Sequence, residues 1–234
     1  MKKKLVVFSG AGISAESGLS TFRDNNGLWE NYNISEVATP QAWAANPKLV
    51  LDFYNLRRKN AFEAQPNTAH IAIAELEKHL AVSVVTQNID DLHERAGSTD
   101  VIHLHGEVKK VRSTGTNELF DYGSKPLFLG SVCPNGFQLR PHVVWFGEEV
   151  PNLEIANKTI RKADYLLITG TSLNVYPAAG LIHMTKESSI KYLVDPNSDL
   201  RKPSIKNLSI LKAKATIGVP KVANQIIKDL KVNA

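Results

Sequence analysis

A glycine-rich turn near the start of the chain has the residue types that a phosphate-binding loop needs. The apolar run at residues 5–8 leads directly into GAGISA at residues 10–15, a G-x-G-x-x-A pattern. Glycine lets the main chain turn tightly and approach a pyrophosphate, and the N–H groups of a following helix favour its negative charge. The turn predicts a dinucleotide site, although a tight turn without a ligand has the same pattern.

The segment after this turn departs from ordinary nicotinamide dehydrogenases. In that class a second strand follows quickly and ends in the acid that binds the ribose, whereas about 60 residues intervene here. The segment begins with Thr21-Phe22-Arg23-Asp24, which sets an aromatic ring, a cation and an acid beside the phosphate loop. The spacing alone leaves open whether they cover a dinucleotide or are packed loop residues.

Polar clusters follow three predicted strands, and ligands of doubly wound sheets bind outside the carboxyl ends of the strands. The clusters are TQNIDD at residues 86–91, HLHGE at residues 103–107 and TGTS at residues 169–172. One such cluster is commonly a helix cap, a role that suits Asp90 or Asp91. Three clusters together indicate a site.

His105 is the natural candidate for a general base, because an imidazole with a pKa near about 6.5 accepts a proton at neutral pH. Strand geometry aims it at the crevice, whereas His103 alternates with it and faces the other side of the sheet. His70 and His93 lie in predicted helices and are expected to be structural. The sequence contains no His-x-x-x-His and no cysteine pair, so no metal site is expected.

The elements that must position these residues alternate between strand and helix. Helical patterns at residues 67–80 and 219–230 accompany apolar or β-branched runs that predict buried parallel strands. The fold class is therefore α/β with a doubly wound parallel sheet. The predicted strands lie at residues 4–8, 82–86, 101–104, 165–169, 190–194 and 208–211.

Two stretches do not fit this alternation and are predicted to be insertions that form a smaller lobe. Residues 21–65 contain helical patterns at 40–45 and 47–61, and residues 106–139 are rich in turn formers. We predict one catalytic domain over residues 1–234. Its large lobe comprises residues 1–20, 66–105 and 140–234.

Composition excludes several protein classes. The 234 residues are 43% hydrophobic and 22% charged, which is enough for a substantial core and unlike a disordered or fibrous chain. The net charge of +5 is modest, and neither a nucleic-acid nor a membrane partner is indicated. Cys133 is the single cysteine, so no intrachain disulfide can form and a cytoplasmic location is expected.

Together these motifs resemble the sirtuin family, the NAD-dependent protein lysine deacylases. The resemblance runs in order through residues 10–14, 21–24, 86–90, 103–106, 141–147 and 170–172, nearly the whole chain. It implies a Rossmann-like large domain, a small lobe, and a cleft in which NAD and an acylated lysine meet. In the family's chemistry NAD is consumed: nicotinamide leaves as the acyl oxygen attacks the ribose carbon to give an alkylimidate. Acyl transfer then yields free lysine and O-acyl-ADP-ribose.

The resemblance also implies roles for individual residues. His105 matches the catalytic base that helps to deprotonate a ribose hydroxyl, and Asn88 and Asp90 match residues at the nicotinamide end. It leaves open whether Asp195 or Asn197 contacts the adenosine ribose. The residues that match NAD contacts are Ala11, Gly12, Arg23, Gln87, Asn88, Asp90, Gly170, Thr171, Ser172 and Ala215.

On the substrate side, the resemblance implies that the segment with Val143, Trp145, Phe146 and Gly147 pairs with the substrate peptide as an added strand. A buried strand without a partner fits the same pattern.

Three further residues match the branch that removes negatively charged acyl groups. Tyr54 and Arg57 lie at i and i+3 of a predicted helix, and Ala38 matches the small residue that leaves room for the acyl group. A guanidinium can pair two-fold with a terminal carboxylate, and a phenol adds one hydrogen bond. The alternative is a solvated basic helix face, since residues 57–59 are Arg-Arg-Lys.

Most sirtuins bind a structural zinc through two cysteine pairs in the small lobe, and this chain has only Cys133 there. Structural zinc is therefore not expected. The lobe is predicted to be held by apolar contacts among Leu119, Phe120, Tyr122, Leu127, Phe128, Leu129 and Phe137.

The expected function is NAD-dependent removal of acetyl and succinyl groups from protein lysines. One alternative is NAD hydrolysis or ADP-ribosyl transfer from the same cleft. Another is a non-catalytic dinucleotide-sensing module, against which the joint presence of His105, Asn88 and Asp90 argues.

Overall fold

The chain forms eleven strands and seven α-helices over the part that the computed structural model describes, residues 2–21, 28–29, 32–171, 173, 175–197 and 205–232. Short 3-10 helices lie at Ala11–Ile13, Ala15–Ser17, Leu76–Lys78 and Ala178–Met184. The strands are β1 (Lys4–Ser9), β2 (Leu28–Trp29), β3 (Tyr32–Asn33), β4 (Ala81–Thr86), β5 (Val101–His103), β6 (Gly106–Ser113), β7 (Leu119–Asp121), β8 (Leu139–Val143), β9 (Tyr165–Thr169), β10 (Ile190–Val194) and β11 (Leu208–Leu211). The helices are α1 (Ile34–Val37), α2 (Pro40–Ala45), α3 (Pro47–Glu63), α4 (Thr68–Glu75), α5 (Leu92–Arg95), α6 (Leu153–Ile160) and α7 (Ala215–Val232).

Six strands form one parallel sheet in the order β11-β10-β9-β1-β4-β5. Its central strand β1 is buried on both faces, as a parallel strand covered by helices should be. Ser9 pairs with Thr86 on one side and with Thr169 on the other, so the carboxyl ends of three strands finish at one edge. The predicted α/β fold with a Rossmann-like parallel sheet is confirmed.

Helices cover both faces of this sheet. Ile73 of α4 and Ile226 of α7 belong to the core cluster on one face, and Ile160 of α6 and Ile182 belong to the cluster on the other. The predicted helices at residues 67–80 and 219–230 are therefore formed, the first as α4 followed by a 3-10 turn. None of the helices in the described part of the chain has the length and apolar character needed to cross a membrane.

The glycine-rich turn after β1 leads into two 3-10 turns and not into the α-helix that the sequence predicts. The reason is local competition for the carbonyl of Ile13. Asn67 Nδ2 donates to that carbonyl at 2.8 Å and to Ser17 Oγ at 3.0 Å, while Ser17 N–H bonds to Ser14 instead. The prediction of a helix dipole behind the turn is therefore wrong.

The two predicted insertions contribute α1 to α3 and a three-stranded antiparallel sheet in the order β7-β6-β8. Helix α3 begins where Asn46 Oδ1 accepts the N–H of Leu49 at 3.1 Å and Pro47 takes the first helical position. Strand β8 extends past residue 139, the predicted end of the lobe, because Val143 still pairs with Gly106 of β6.

The predicted apolar core of the small lobe is only partly correct. Leu127 is buried, and Phe120 and Tyr122 pack at the edge of its cluster. The rest of that cluster comprises Leu51 of α3, Val111, Cys133 and Leu139. The four other predicted residues are on the surface: Leu119, Phe128, Leu129 and Phe137 are exposed.

Candidate active site

A cavity of about 550 Å³ opens at the carboxyl ends of the parallel strands, where ligands of such sheets bind. Side chains from both the parallel sheet and the inserted helices line it. The predicted residues that the structure brings together there are Ala11, Gly12, Ala38, Tyr54, Arg57, Gln87, Asn88, Asp90, His105, Val143, Trp145, Phe146, Gly147, Gly170, Thr171 and Ala215. Arg23 and Ser172 lie outside the described residues.

Two glycine turns pack against each other on one side of the cavity. The N–H of Gly12 donates to the carbonyl of Gly170 at 2.8 Å. A Cβ on Gly12 would lie 2.8 Å from Gly170 Cα, and Gly170 has a φ of +65°, so both positions favour glycine. This close packing leaves main chain without side chains facing the cavity, which suits the approach of a pyrophosphate.

A chain of buried hydrogen bonds in the cavity lining joins Ser14, Asn88 and Asp90. Asn88 Nδ2 donates to Ser14 Oγ at 3.1 Å, and Ser14 Oγ donates to Asp90 Oδ2 at 3.2 Å. Burial raises the pKa of Asp90, which the N–H of Leu92 and the charge of His103 partly offset. Ser14 lies in the glycine-rich motif but was not among the predicted contacts.

His105 lies in the cavity wall between β5 and β6, with Nδ1 3.0 Å from the main-chain oxygen of Gln87. A carbonyl oxygen can only accept, so Nδ1 carries the proton and Nε2 keeps a lone pair in the neutral ring. Burial lowers the pKa of His105 and outweighs the opposite effect of Gln87. The imidazole is therefore neutral at neutral pH and can accept a proton.

His103 does not line the cavity, in agreement with its predicted orientation. Its Nδ1 donates to the main-chain oxygen of Asn88 at 2.8 Å, and its Nε2 lies 2.8 Å from Glu94 Oε1. Burial lowers the pKa of His103, but the hydrogen bond and charge of Glu94 raise it by more, so the net shift is upward. The two groups form an ion pair when the His103 ring is protonated.

His70 and His93 are buried and structural, as predicted. His70 Nδ1 accepts the N–H of Asn67 at 3.3 Å in a capping box, and burial lowers the pKa of His70 to about 4. His93 Nε2 lies 2.9 Å from Ser9 Oγ, and its pKa is also lowered by burial.

Ala38, Tyr54 and Arg57 all line the cavity, and all three are buried. Arg57 Nη1 donates to the carbonyl of Ser20 at 3.5 Å. Burial raises the pKa of Tyr54, so its hydroxyl stays protonated and able to donate. The lining of the cavity thus includes a guanidinium, a phenol and a methyl-sized side chain.

The alternative of a solvated basic helix face does not fit this helix. Arg58 is 0% exposed, and its guanidinium donates to the carbonyl of Val108 at 2.8 Å and to Asn55 Oδ1 at 3.1 Å. Of the three consecutive cations, only Lys59 faces solvent, where it pairs with Glu63.

The segment that follows β8 forms one wall of the cavity. Its N–H groups are held from both lobes, since Val144 N donates to the carbonyl of His105 at 2.9 Å and Phe146 N donates to that of Ala38 at 3.0 Å. Asp195 and Asn197 both line the cavity, so the choice between them for the adenosine ribose stays open. Tyr176, which sequence reasoning missed, also lines it and is 71% exposed.

Comparison with known proteins finds relatives that cover most of the chain. A family model described as the Sir2 family matches residues 10–177. The chain is 54% identical over 196 residues to an NAD-dependent protein deacylase of Helicobacter pylori strain J99, covering 84% of each chain. It is 47% identical over 231 residues to an NAD-dependent protein deacylase of Bacteroides thetaiotaomicron, covering 96% of this chain and 98% of the relative. A crystal structure of a Sir2 homolog–NAD complex superposes with a TM-score of 0.87 at 42% identity, over 98% of this chain and 91% of the other.

Proposed function

Because the chain belongs to the Sir2 family and is an NAD-dependent protein deacylase, we propose that its cleft accepts lysines with negatively charged acyl groups as well as acetyl-lysine. The observation that carries this proposal is the buried meeting of Arg57, Tyr54 and Ala38 in the cavity that also contains His105. Acyl-lysine proteins and NAD are the substrates. We also propose a cytoplasmic location, supported by the single cysteine.

We propose that NAD binds along the carboxyl edge of the parallel sheet. The glycine turns at Gly12 and Gly170 support a pyrophosphate site, because their main chains are free of side chains there. The amide and carboxyl groups of Asn88 and Asp90 support binding of the nicotinamide end, which itself carries an amide. NAD supplies the ribose to which the acyl group is transferred.

We propose that His105 is the general base. Its Nε2 lone pair is left available by the hydrogen bond from Nδ1 to Gln87, and its lowered pKa keeps the ring neutral. A base in this wall can take a proton from a ribose hydroxyl of the co-substrate. This role is a proton transfer and involves no hydride transfer, which distinguishes the site from that of a dehydrogenase.

The choice of acyl group rests on charge and space. A succinyl chain ends in a carboxylate, to which Arg57 can donate two hydrogen bonds and Tyr54 one. An acetyl group ends in a methyl, which accepts no hydrogen bond from either side chain. Ala38 adds room, since a longer side chain at this buried position would extend toward the cavity that it lines.

The experiment compares kcat/KM for matched succinyl-lysine and acetyl-lysine peptides at saturating NAD. Arg57→Met is expected to lower the succinyl-to-acetyl ratio by about ten- to a hundred-fold, the scale of charge-assisted hydrogen bonds. Lys59→Met removes an exposed cation from the same helix and should leave the ratio unchanged. Equal losses for both peptides in Arg57→Met would contradict the proposal and indicate a structural role.

A second pair of variants tests the space at Ala38. Ala38→Leu should lower the same ratio by size even with Arg57 intact. Ala42→Leu is the matched control, because Ala42 is 5% exposed in the same core cluster but does not line the cavity. A ratio that falls equally in both variants would assign the effect to overpacking of the lobe.

A further inference from the structure

The main chain of Asn88 is anchored on both sides by residues that do not line the cavity. Its carbonyl accepts the Nδ1 hydrogen of His103 at 2.8 Å, and its N–H donates to Thr86 Oγ1 at 3.0 Å. The N–H of the preceding residue, Gln87, donates to the carbonyl of Ser9 at 2.9 Å. The last residues of β1 and β4, together with His103, therefore hold the segment that carries Asn88 into the cavity.

A buried histidine extends this anchor away from the cavity. Ser9 Oγ donates to Thr86 Oγ1 at 2.9 Å, and His93 Nε2 lies 2.9 Å from Ser9 Oγ. These three side chains form a hydrogen-bond relay that ends at the N–H of Asn88. Ser9 and Thr86 are 0% exposed and His93 is 1% exposed, so water does not compete for these bonds.

The relay fixes which nitrogen of His93 carries the proton. The Ser9 hydroxyl has one hydrogen, which it gives to Thr86, so it can only accept from His93 Nε2. Burial lowers the pKa of His93 well below its ordinary value, so at neutral pH the ring is neutral, with its proton on Nε2 and a lone pair on Nδ1. That Nδ1 is buried and has no hydrogen-bond partner among the described residues.

An apolar side chain would fill the position of His93 at a lower cost. A buried polar atom without a partner, such as Nδ1, costs about 1–3 kcal/mol. The His70 ring packs against the His93 ring at 4.9 Å between centroids, and this ring contact needs no N–H. The hydrogen bond from Nε2 to Ser9 is thus the contact for which an imidazole is required here.

We propose that His93 is a positioning residue for the use of NAD, which acts through the relay on the main chain of Asn88. Its Nε2–H keeps the Ser9 hydroxyl pointing at Thr86 Oγ1, and that oxygen holds the N–H of Asn88. A shift of this main chain would also move the Asn88 amide, which donates to Ser14 Oγ at 3.1 Å in the cavity lining. The inference rests on the proposed placement of the nicotinamide end at Asn88.

The test compares two amides at position 93 by steady-state kinetics in NAD and in acetyl-lysine peptide. The nitrogen of a glutamine amide can reach the place of imidazole Nε2, whereas an asparagine side chain is too short. His93→Asn is expected to raise KM for NAD about five-fold, the scale of one neutral hydrogen bond, with KM for peptide unchanged. His93→Gln should keep KM for NAD within about two-fold of wild type, because it restores the donor. Loss of folded protein alone would lower apparent kcat and leave both KM values, so the readout separates positioning from stability.

Variants at the other end of the relay test the same link if the His93 variants fold poorly. Thr86→Val removes the acceptor for Asn88 and should raise KM for NAD about five-fold, whereas Thr86→Ser keeps the hydroxyl and should not. In the Thr86→Val background, His93→Asn should change KM for NAD less than about two-fold. Ser83→Ala is the matched control, because it removes a buried hydroxyl of the same strand that donates to Asp100 and is not part of the relay.

Four results would overturn the inference. An unchanged KM for NAD in His93→Asn would leave the residue as core packing, and an equal rise in His93→Gln would mean that the Nε2–H is not the group that acts. A full effect of His93→Asn in the Thr86→Val background would break the link through Thr86. An equal rise in Ser83→Ala would assign the effect to β4 in general. Asn88→Ala, measured alongside, reports separately on the proposed function, since a wild-type KM for NAD in that variant would contradict the placement of NAD itself.

Discussion

The Nδ1 atom of His105 lies 3.0 Å from the main-chain oxygen of Gln87, and this contact sets the chemistry of the imidazole. The carbonyl fixes the proton on Nδ1, which leaves Nε2 as the basic nitrogen. The same contact links β5 to the polar segment after β4, so the base and the amide of Asn88 are held by one stretch of chain.

His105→Ala should lower deacylation by about 100- to 10,000-fold, the usual contribution of a general base. Thermal unfolding and NAD binding should change little, because the ring lines a cavity and is not part of a core cluster. His183→Ala, which removes an exposed imidazole, is the control. Turnover near the wild-type rate in His105→Ala would remove the residue from the mechanism.

Asp90→Asn should impair the use of NAD more than the binding of peptide. The buried carboxyl accepts hydrogen bonds from Ser14 and from the N–H of Leu92, and an amide replaces one acceptor with a donor. The measurement is KM for NAD and for peptide, together with kcat. Asp91→Asn is the adjacent control, since Asp91 pairs with Arg95 at 3.7 Å and does not line the cavity. If Asp90→Asn keeps the wild-type KM for NAD and the wild-type kcat, as expected of Asp91→Asn, Asp90 is excluded from the site.

Glu94→Gln should reduce the free energy of unfolding most between about pH 4.5 and 6.5. The pKa of His103 is raised in the folded state, so its contribution is full below pH 6.5 and is lost as the pH rises through the folded value. The pKa of Glu94 is lowered, so its contribution is full above pH 4.5 and is lost as the pH falls.

Urea unfolding of wild type and Glu94→Gln at pH 5.5 and 8.5 measures this difference, with about 1–2 kcal/mol expected at the lower pH. Glu75→Gln removes an exposed partner of Lys78 and serves as the control. A difference that is the same at both pH values would show that Glu94 does not act through the charge of His103.

Treatment with a zinc chelator should leave the melting temperature unchanged. Cys133 is buried among Leu51, Val111, Leu127 and Leu139, with its thiol 3.4 Å from Ser113 Oγ, and the lobe is also joined by hydrogen bonds between Asn55 and Leu127. Metal analysis of the purified protein should give well under one zinc per chain. One tightly bound zinc whose removal unfolds the protein would contradict this prediction.

The sequence predicted the parallel sheet well because its strands are apolar runs that end in polar turns, and the strand ends fix where a ligand site must lie. Lys4–Ser9 and Tyr165–Thr169 are examples, and Gly10 and Gly170 follow them directly. Distant contacts were not predictable. The side chain of Asn67 takes the carbonyl of Ile13, 54 residues away, and so replaces the predicted helix by 3-10 turns.

The burial of cations could not be predicted from the sequence either. Arg58 reads as part of a charged surface because its acceptors, Val108 and Lys125, are main-chain carbonyls of the small lobe. The burial of Arg140 has the same origin: its guanidinium donates to Glu148 Oε1 at 2.7 Å, and a pair eight residues apart carries no local signal of its geometry.

The central claim is tested most directly by one mass-resolved reaction of the purified protein with NAD and either a succinyl-lysine or an acetyl-lysine peptide. The account predicts equal amounts of deacylated peptide, nicotinamide and O-acyl-ADP-ribose. Both the succinyl peptide and the acetyl peptide should be turned over. Free ADP-ribose without deacylated peptide, or ADP-ribose attached to an acceptor, would contradict it and favour NAD hydrolysis or ADP-ribosyl transfer from the same cleft.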